Sequence, residues 1–408
     1  MEDEKNKWVE PTTLWNPMFI SVFIASLFFS FSTQMSNSLL SLYAKSMGAA
    51  ADRIGSLVSM FAVTALIFRF IAGPAMNTYD RKKLLQMAMC FFATAYLGFG
   101  LSPKIAEITG IDVITIMKCF RLLQGIGNAF GNSCLLTIVS DCIPKEKFAS
   151  GIGIYACAAT IAQAIGPSIG IALRDAVGYN VTYYITFGSM IFSMLLVGIV
   201  VKTPYREKEK FSLDLNNMVA KEAIVPAIIT FFIGLGFNAI SSFFLVYAEE
   251  RGIENASLYF TVYAIAMLVT KPLIGKLSDK YGFVVVAIPS ILCTALSLYL
   301  IGQSTTLWQL LVVAAINAAG YGAVQPSLQS LCMKAVPSQR RGSASSTNYI
   351  ALDASTIIGP SICGYVAAVA GYTPLMWTVM AMPILVGALL TFVFRNKINE
   401  IEMDFKNR

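Results

Sequence analysis

The chain has 408 residues, 56% of them hydrophobic and only 13% charged, with a formal net charge of +7. Soluble globular domains carry about 25% charged residues, so this composition excludes one, and the deficit of charge runs over the whole length. The positive balance does not point to nucleic acid as a partner, because cytoplasmic loops of membrane proteins gather Lys and Arg.

Two further absences narrow the chemistry. There is no histidine, which removes the imidazole proton relay, metal ligand and general base together. The eight cysteines form no C-x-x-C pair, so neither a disulfide framework nor a metal site is expected.

The first ten residues, Met1 to Glu10, are polar and acidic and do not read as a signal peptide. A membrane-spanning helix needs about 20 apolar residues. In chain order the apolar runs predict spans at 18–41, 54–76, 84–101, 112–138, 148–170, 181–201, 223–247, 256–275, 283–302, 307–332, 344–369 and 373–394. The expected fold is therefore an all-α membrane protein of twelve transmembrane helices. It has an N-terminal segment 1–17, a first six-helix half 18–201, a linker 202–222, a second half 223–394 and a tail 395–408. The linker carries Lys202, Arg206, Lys208, Lys210 and Lys221.

Charge sets the expected orientation. The segments on the side of the N-terminus hold 21 Lys and Arg, the opposite loops hold 5, and 4 lie within helices. The positive-inside rule then places both termini in the cytoplasm of a multi-pass protein of the inner (plasma) membrane.

The two halves repeat one another. "YAKSMG" (43–48) returns as "YAEERG" (247–252) at an offset of 204, which aligns Gln34 with Asn238. "RFIAGPAMN" (69–77) returns as "KPLIGKLSD" (271–279) at 202, and "IGPSIG" (165–170) as "IGPSICG" (358–364) at 193. Ordered matches over three helix pairs argue for duplication, and such repeats place a substrate path at their interface.

Within the fourth span, Arg121, Gln124, Asn128 and Asn132 recur at i, i+3, i+7 and i+11. That spacing puts them on one helix stripe, which should face a cavity and not lipid. Asp353 lies about 13 Å into the eleventh span, counting 1.5 Å per residue, and is the one carboxylate so deep. Arg121 lies at similar depth from the other face. A charge at mid-membrane costs about 3 kcal/mol or more and usually acts in function. Lys118 sits a turn outward of Arg121. Arg69 and Lys271 are nearer the cytoplasmic ends, and can either snorkel or line the inner vestibule. Deep cations exceed deep acids, which tilts the substrate towards an anion or zwitterion.

These motifs resemble the major facilitator superfamily over essentially the full length. The loop after the second helix in that family reads roughly G-x-L-A-D-R-x-G-R-K. "GKLSDKYG" (275–282) is a close match, whereas "GPAMNTYDRKK" (73–83) has Asn77 where Asp is usual and Asp80 where Gly is usual. The resemblance implies a cytoplasmic gate of Arg69, Gly73, Asn77, Arg81, Lys271, Gly275, Asp279 and Lys280. "RLLQGIGNAFGN" (121–132) is similar to the R-x-x-Q-G-x-G-x-A motif, which implies that Arg121 takes part in proton coupling. "AQAIGPSIG" (162–170) resembles the antiporter signature, here Gly166, Pro167 and Gly170, and so implies export against protons. The F-R-x-x-A-G run of the second helix is similar to exporters of drugs, sugars or metallophores.

The expected function is secondary active transport by alternating access. The leading expectation is proton-coupled export of a small organic molecule, with Asp353 and Arg121 as the coupling pair. The alternative is uptake or facilitated transport of an anionic or zwitterionic metabolite, with Arg121 as its ligand. The candidate substrate set is Gln34, Asn37, Gln124, Asn128, Asn132, Tyr155, Asn238, Tyr263, Asn317, Gln325 and Tyr349, a small number of polar groups that fix orientation in an apolar cavity. No cofactor is expected, the proton gradient being the driving force. The expected partners are a small-molecule substrate and membrane lipid, with a monomer as the working unit. Without histidine, a P-loop or paired intramembrane carboxylates, an enzyme is not expected.

Overall fold

Several helices begin where the sequence supplies a start signal or a neighbour lends one. α1 (Pro17–Ser46) follows Asn16, whose side chain accepts from Phe19 N–H at 2.9 Å, with Pro at the first helical position. α2 (Ala51–Thr78) is followed by Asp80, which caps α3 (Arg81–Thr109) by accepting from Lys82 N–H at 2.8 Å. This explains why Asp80 stands in place of glycine: it starts the next helix. Gly110, at φ 72°, closes α3 in a left-handed turn that favours glycine. Asp112 then caps α4 (Val113–Asp141).

The helical run Phe148–Val200 is broken at Gly178, where φ 82° and ψ 168° leave the helical region. We number its two parts α5 (148–177) and α6 (179–200). The remaining helices are α7 (Ile224–Glu250), α8 (Leu258–Tyr281), α9 (Phe283–Gln303), α10 (Leu307–Lys334), α11 (Arg341–Ala370), α12 (Pro374–Val393) and α13 (Arg395–Asn407). This computed structural model describes residues 11–49, 51–201, 211–214 and 218–407. The linker positions Lys202, Arg206, Lys208 and Lys210 and the first ten residues lie outside the described residues.

Among the described residues, eleven helical segments are long and apolar enough to cross a membrane. One of them, Lys145–Val200, has 56 residues, roughly 84 Å of helix against a hydrocarbon core of about 30 Å. The break at Gly178 divides it into two crossings, which gives the twelve that the sequence predicts. The helices run up to about two turns beyond the expected spans, α3 reaching Thr109 and α5 residue 177. Large apolar side chains such as Ile67, Val269, Leu389 and Val393 point outward, as lipid-facing positions do. One element was not expected: the tail forms the amphipathic helix α13, which buries Ile398, Ile401 and Phe405.

The described chain clusters into two compact units. The first comprises Met1–Ile143, Ile161–Met218 and Arg341–Ser346; the second comprises Pro144–Thr160, Val219–Arg340 and Thr347–Arg408. In the first, α4 packs against α2 and α3. In the second, α8 and α9 pack on α10, and α12 packs on α7 and α9. α5 and α11 are each shared, their opening turns belonging to the unit opposite the rest of the helix.

Candidate functional site

In the first unit, the glycines of "QGIG" seat α4 against its neighbours. A Cβ on Gly125 would stand 2.8 Å from Phe61 O and from Thr64 Cβ on α2, and one on Gly127 would stand 2.9 Å from Ala88 O on α3. Small residues permit such close helix approach in membranes. The polar stripe follows from that placement. Arg121 is 3% exposed. One of its terminal nitrogens donates to Asn37 Oδ1 at 3.0 Å and to Gln124 Oε1 at 2.5 Å. Its guanidinium lies over the Phe61 ring at 4.4 Å. Its Nε is buried with no acceptor. Among the described residues the cation is thus held by neutral groups and an aromatic face, with no carboxylate. Asn132 donates to Asn128 Oδ1 at 2.8 Å one turn further on. Gln34 lies under α5, where a Cβ on Gly166 would meet it at 3.1 Å. Gly170 packs against Met35 and Leu39, with Pro167 between the two glycines.

In the second unit, the equivalent approach joins α11 to α7: a Cβ on Gly359 would stand 2.7 Å from Leu235 O and 3.4 Å from Asn238 Cβ. The offsets of 193 and 204 relate Gly359 to Gly166 and Asn238 to Gln34, so corresponding residues touch. Asn238 donates to Ser355 Oγ at 3.2 Å. Asn317 donates to the Tyr259 hydroxyl at 2.8 Å, while its Oδ1 and the Tyr263 hydroxyl are buried without partners. Phe237 stacks on Tyr321 with ring centroids 3.6 Å apart and approaches Tyr263 at 6.0 Å. Tyr155 is buried, and Gln325, Tyr349 and Asp353 are half-buried. The candidate set therefore falls into two groups. Gln34, Asn37, Arg121, Gln124, Asn128 and Asn132 belong to the first unit, and the other residues of the set, with Asp353, to the second.

The residues expected to form the gate fall into two clusters, one in each unit. In the first unit, Asn77 donates to Ser343 Oγ at 2.7 Å, and its Oδ1 accepts from Ser343 N–H at 3.4 Å, in the first turn of α11. Gly73 lets this turn approach, since a Cβ there would meet Ser346 Cβ at 3.2 Å. Arg81 donates to Asp141 Oδ2 at 3.0 Å, and Arg341 to Asp141 Oδ1 at 3.1 Å, all three side chains being largely buried. Arg69, 1% exposed, donates to Ser133 Oγ at 3.2 Å and does not reach the surface.

In the second unit, both oxygens of Asp279 hold the start of α5, accepting from the N–H groups of Ala149 and Ser150 at 2.8 Å each and from the Ser150 hydroxyl at 2.6 Å. Gly275 allows this contact, a Cβ there falling 2.8 Å from Ala149 O. Lys271 is buried and donates to Thr160 Oγ1 at 2.6 Å and Ala156 O at 3.3 Å. Lys280 is exposed over the Tyr281 ring.

Sequence reasoning missed Asp141 and Arg341 at the first cluster and Thr160 and Glu402 at the second unit. Asp141 carried a legible signal. It ends α4, where a carboxylate opposes the helix dipole and calls for a cation.

The fold is that of a polytopic helical membrane transporter. The chain belongs to the Major Facilitator Superfamily, whose family model matches residues 22–254 and 226–402. It is similar to an uncharacterized MFS-type transporter of Methanocaldococcus jannaschii, 24% identical over 385 residues that span 90% of this chain and 92% of that one. It is also similar to the staphylopine export protein of Staphylococcus aureus, 22% identical over 395 residues, 92% and 95% of the two chains. Among solved structures, a bacterial homologue of the iron transporter ferroportin in its outward-facing state superposes with a TM-score of 0.78 at 11% identity, covering 96% of this chain and 100% of that one.

Proposed function

We propose that the protein is a secondary active transporter of the inner membrane that exports a small organic molecule by alternating access, driven by proton entry. Both termini and the two helix-end clusters lie on the cytoplasmic side in this reading, the working unit is a monomer, and no cofactor takes part. The observation that carries it is the buried stripe of α4. Arg121 is a fixed charge in a membrane span that, among the described residues, neutral groups hold. Such a charge is expensive and persists where function needs it. The export relative in Staphylococcus aureus supports the direction. Arg121 cannot release a proton at ordinary pH, so proton exchange falls on Asp353 of α11, and substrate and proton compete for the cycle. The test is transport into inside-out vesicles with an imposed pH gradient. Asp353→Asn should abolish gradient-driven uptake while leaving downhill exchange. Retention of full gradient-driven transport would sink the assignment.

One observation favours a second reading, in which Arg121 is the ligand of an anionic or zwitterionic substrate that moves by uptake or facilitated transport. The Arg121 Nε has no acceptor, and a carboxylate suits a guanidinium. Arg121→Lys would then raise the apparent KM and leave proton dependence unchanged, whereas a coupling role would change the pH profile.

A further inference from the structure

Lys271 sits in a sealed seam between α5 and α8, and the seam's hydrogen-bonding capacity does not match an ammonium. Closure is enforced by backbone contact. A Cβ on Gly153 would stand 2.6 Å from Lys271 O, and one on Gly275 would stand 2.8 Å from Ala149 O. Asp279 pins the open end of the seam by three hydrogen bonds to the first turn of α5. Eight residues deeper, about 12 Å along the helix, the Lys271 amine finds two acceptors, Thr160 Oγ1 and Ala156 O. Thr160 itself donates to Ala156 O, so its oxygen is available to accept.

An ammonium has three N–H donors and a neutral amine has two. Two acceptors therefore satisfy the amine fully and leave the ammonium one short. The surrounding charges do not correct this. The titratable side chain that faces Lys271 from α5 is the Cys157 thiol. From α9 and α10, which also pack on α8, no charged group reaches it among the described residues, and it forms no ion pair. Asp279 lies too far along α8 to pair with it. Lys145, Glu146 and Lys147 precede α5 and are exposed.

We propose that Lys271 gives up its proton when the α5–α8 seam closes and takes one up when the seam opens to water, so that it is a second titrating group of the transport cycle beside Asp353. Water supplies the third acceptor in the open seam, and its exclusion removes it. The proton passes between the Lys271 Nζ and that water, and no other bond changes. Lysine fits this role and arginine does not, because a guanidinium stays charged. The inference rests on the proton-coupled reading above and adds the side chain that senses the seam.

Spin labels at Lys147→Cys and Lys276→Cys, both exposed positions on the two sides of the seam, test it by pulsed electron–electron distance measurement in nanodiscs, with no substrate needed. Cys90 and Cys119, which are exposed, and the half-buried Cys293 are replaced by Ser beforehand. The wild-type side chain should give a short distance at high pH and a longer one at low pH. Lys271→Met should hold the short distance at every pH, and Lys271→Arg should lose the pH response. Thr160→Val, which removes one acceptor and keeps the shape, should shift the pH at which the two distances are equally populated. A response to pH that is unchanged in all three variants overturns the role of Lys271 and leaves the coupling reading intact. A wild-type distance that ignores pH overturns both. Asp353→Asn separates the groups, since it should keep the Lys271-dependent change.

Discussion

Asp279 Oδ2 receives two hydrogen bonds from one residue, Ser150: its backbone N–H at 2.8 Å and its hydroxyl at 2.6 Å. The first turn of α5 is capped by a carboxylate from α8, where the helix dipole favours negative charge. Asp279→Asn keeps one acceptor and loses the charge. It should lower stability by about 2 kcal/mol, measured as a fall in the thermal unfolding midpoint in detergent. Asn77→Asp, on α2 and facing the first turn of α11, should raise it by about 0.3–1 kcal/mol. Equal and opposite outcomes would contradict the capping account.

Asp141 sits between Arg81 and Arg341, at 3.0 and 3.1 Å. Removing the acid takes a buried carboxylate away from two largely buried cations. Asp141→Asn should therefore cost about 3–5 kcal/mol, and Asp141→Glu much less. A difference between Asn and Glu smaller than the error of the melting curves would show that the cluster contributes little.

The glycines of the α5–α8 seam make a steric prediction. Gly153→Ala and Gly275→Ala both push a methyl against backbone, which has no rotamer to yield. Each should destabilise by about 1–3 kcal/mol. Gly188→Ala, which meets nothing within 4 Å, should be close to neutral, and a comparable loss there would break the argument.

At the start of α4, outside the membrane spans, a hydrogen bond from Arg53 holds the Asp112 carboxyl below its usual range, helped by the Thr115 N–H and hydroxyl. A lowered folded value means the contribution is present above the ordinary carboxylate value, about 4, and is lost as pH falls below it. Arg53→Gln should therefore melt earlier than wild type at neutral pH. The gap should narrow in acid, read by unfolding scans at a series of pH values.

Much of this was legible in the sequence. The apolar runs gave the spans because hydrocarbon length fixes helix length, and "GKLSDKYG" placed Asp279 at a helix end. Its partners were not legible, since Ala149 and Ser150 are well over 100 residues away and carry no marked side-chain pattern. Asp80 looked like a defect in a motif until its bond to Lys82 N–H showed a cap. α13 was missed although Ile398, Ile401 and Phe405 share one face. Hydropathy treats so short and polar a segment as a tail. Packing decides it: Phe405 meets Phe148 at 4.9 Å, and Glu402 accepts from Phe283 N–H at 2.9 Å and from Lys334 at 3.2 Å.

The most direct test of proton-coupled transport starts from a ligand found by thermal-shift screening of metabolites, metallophores and drugs, since a compound that binds the folded state raises its melting temperature. In labelled form it is offered to inside-out vesicles whose lumen is acidic. The account predicts accumulation above the outside concentration, collapse of that excess when nigericin dissipates the pH gradient, and loss of the uphill component in Asp353→Asn. Equilibration to equal concentrations with the gradient still imposed would contradict it.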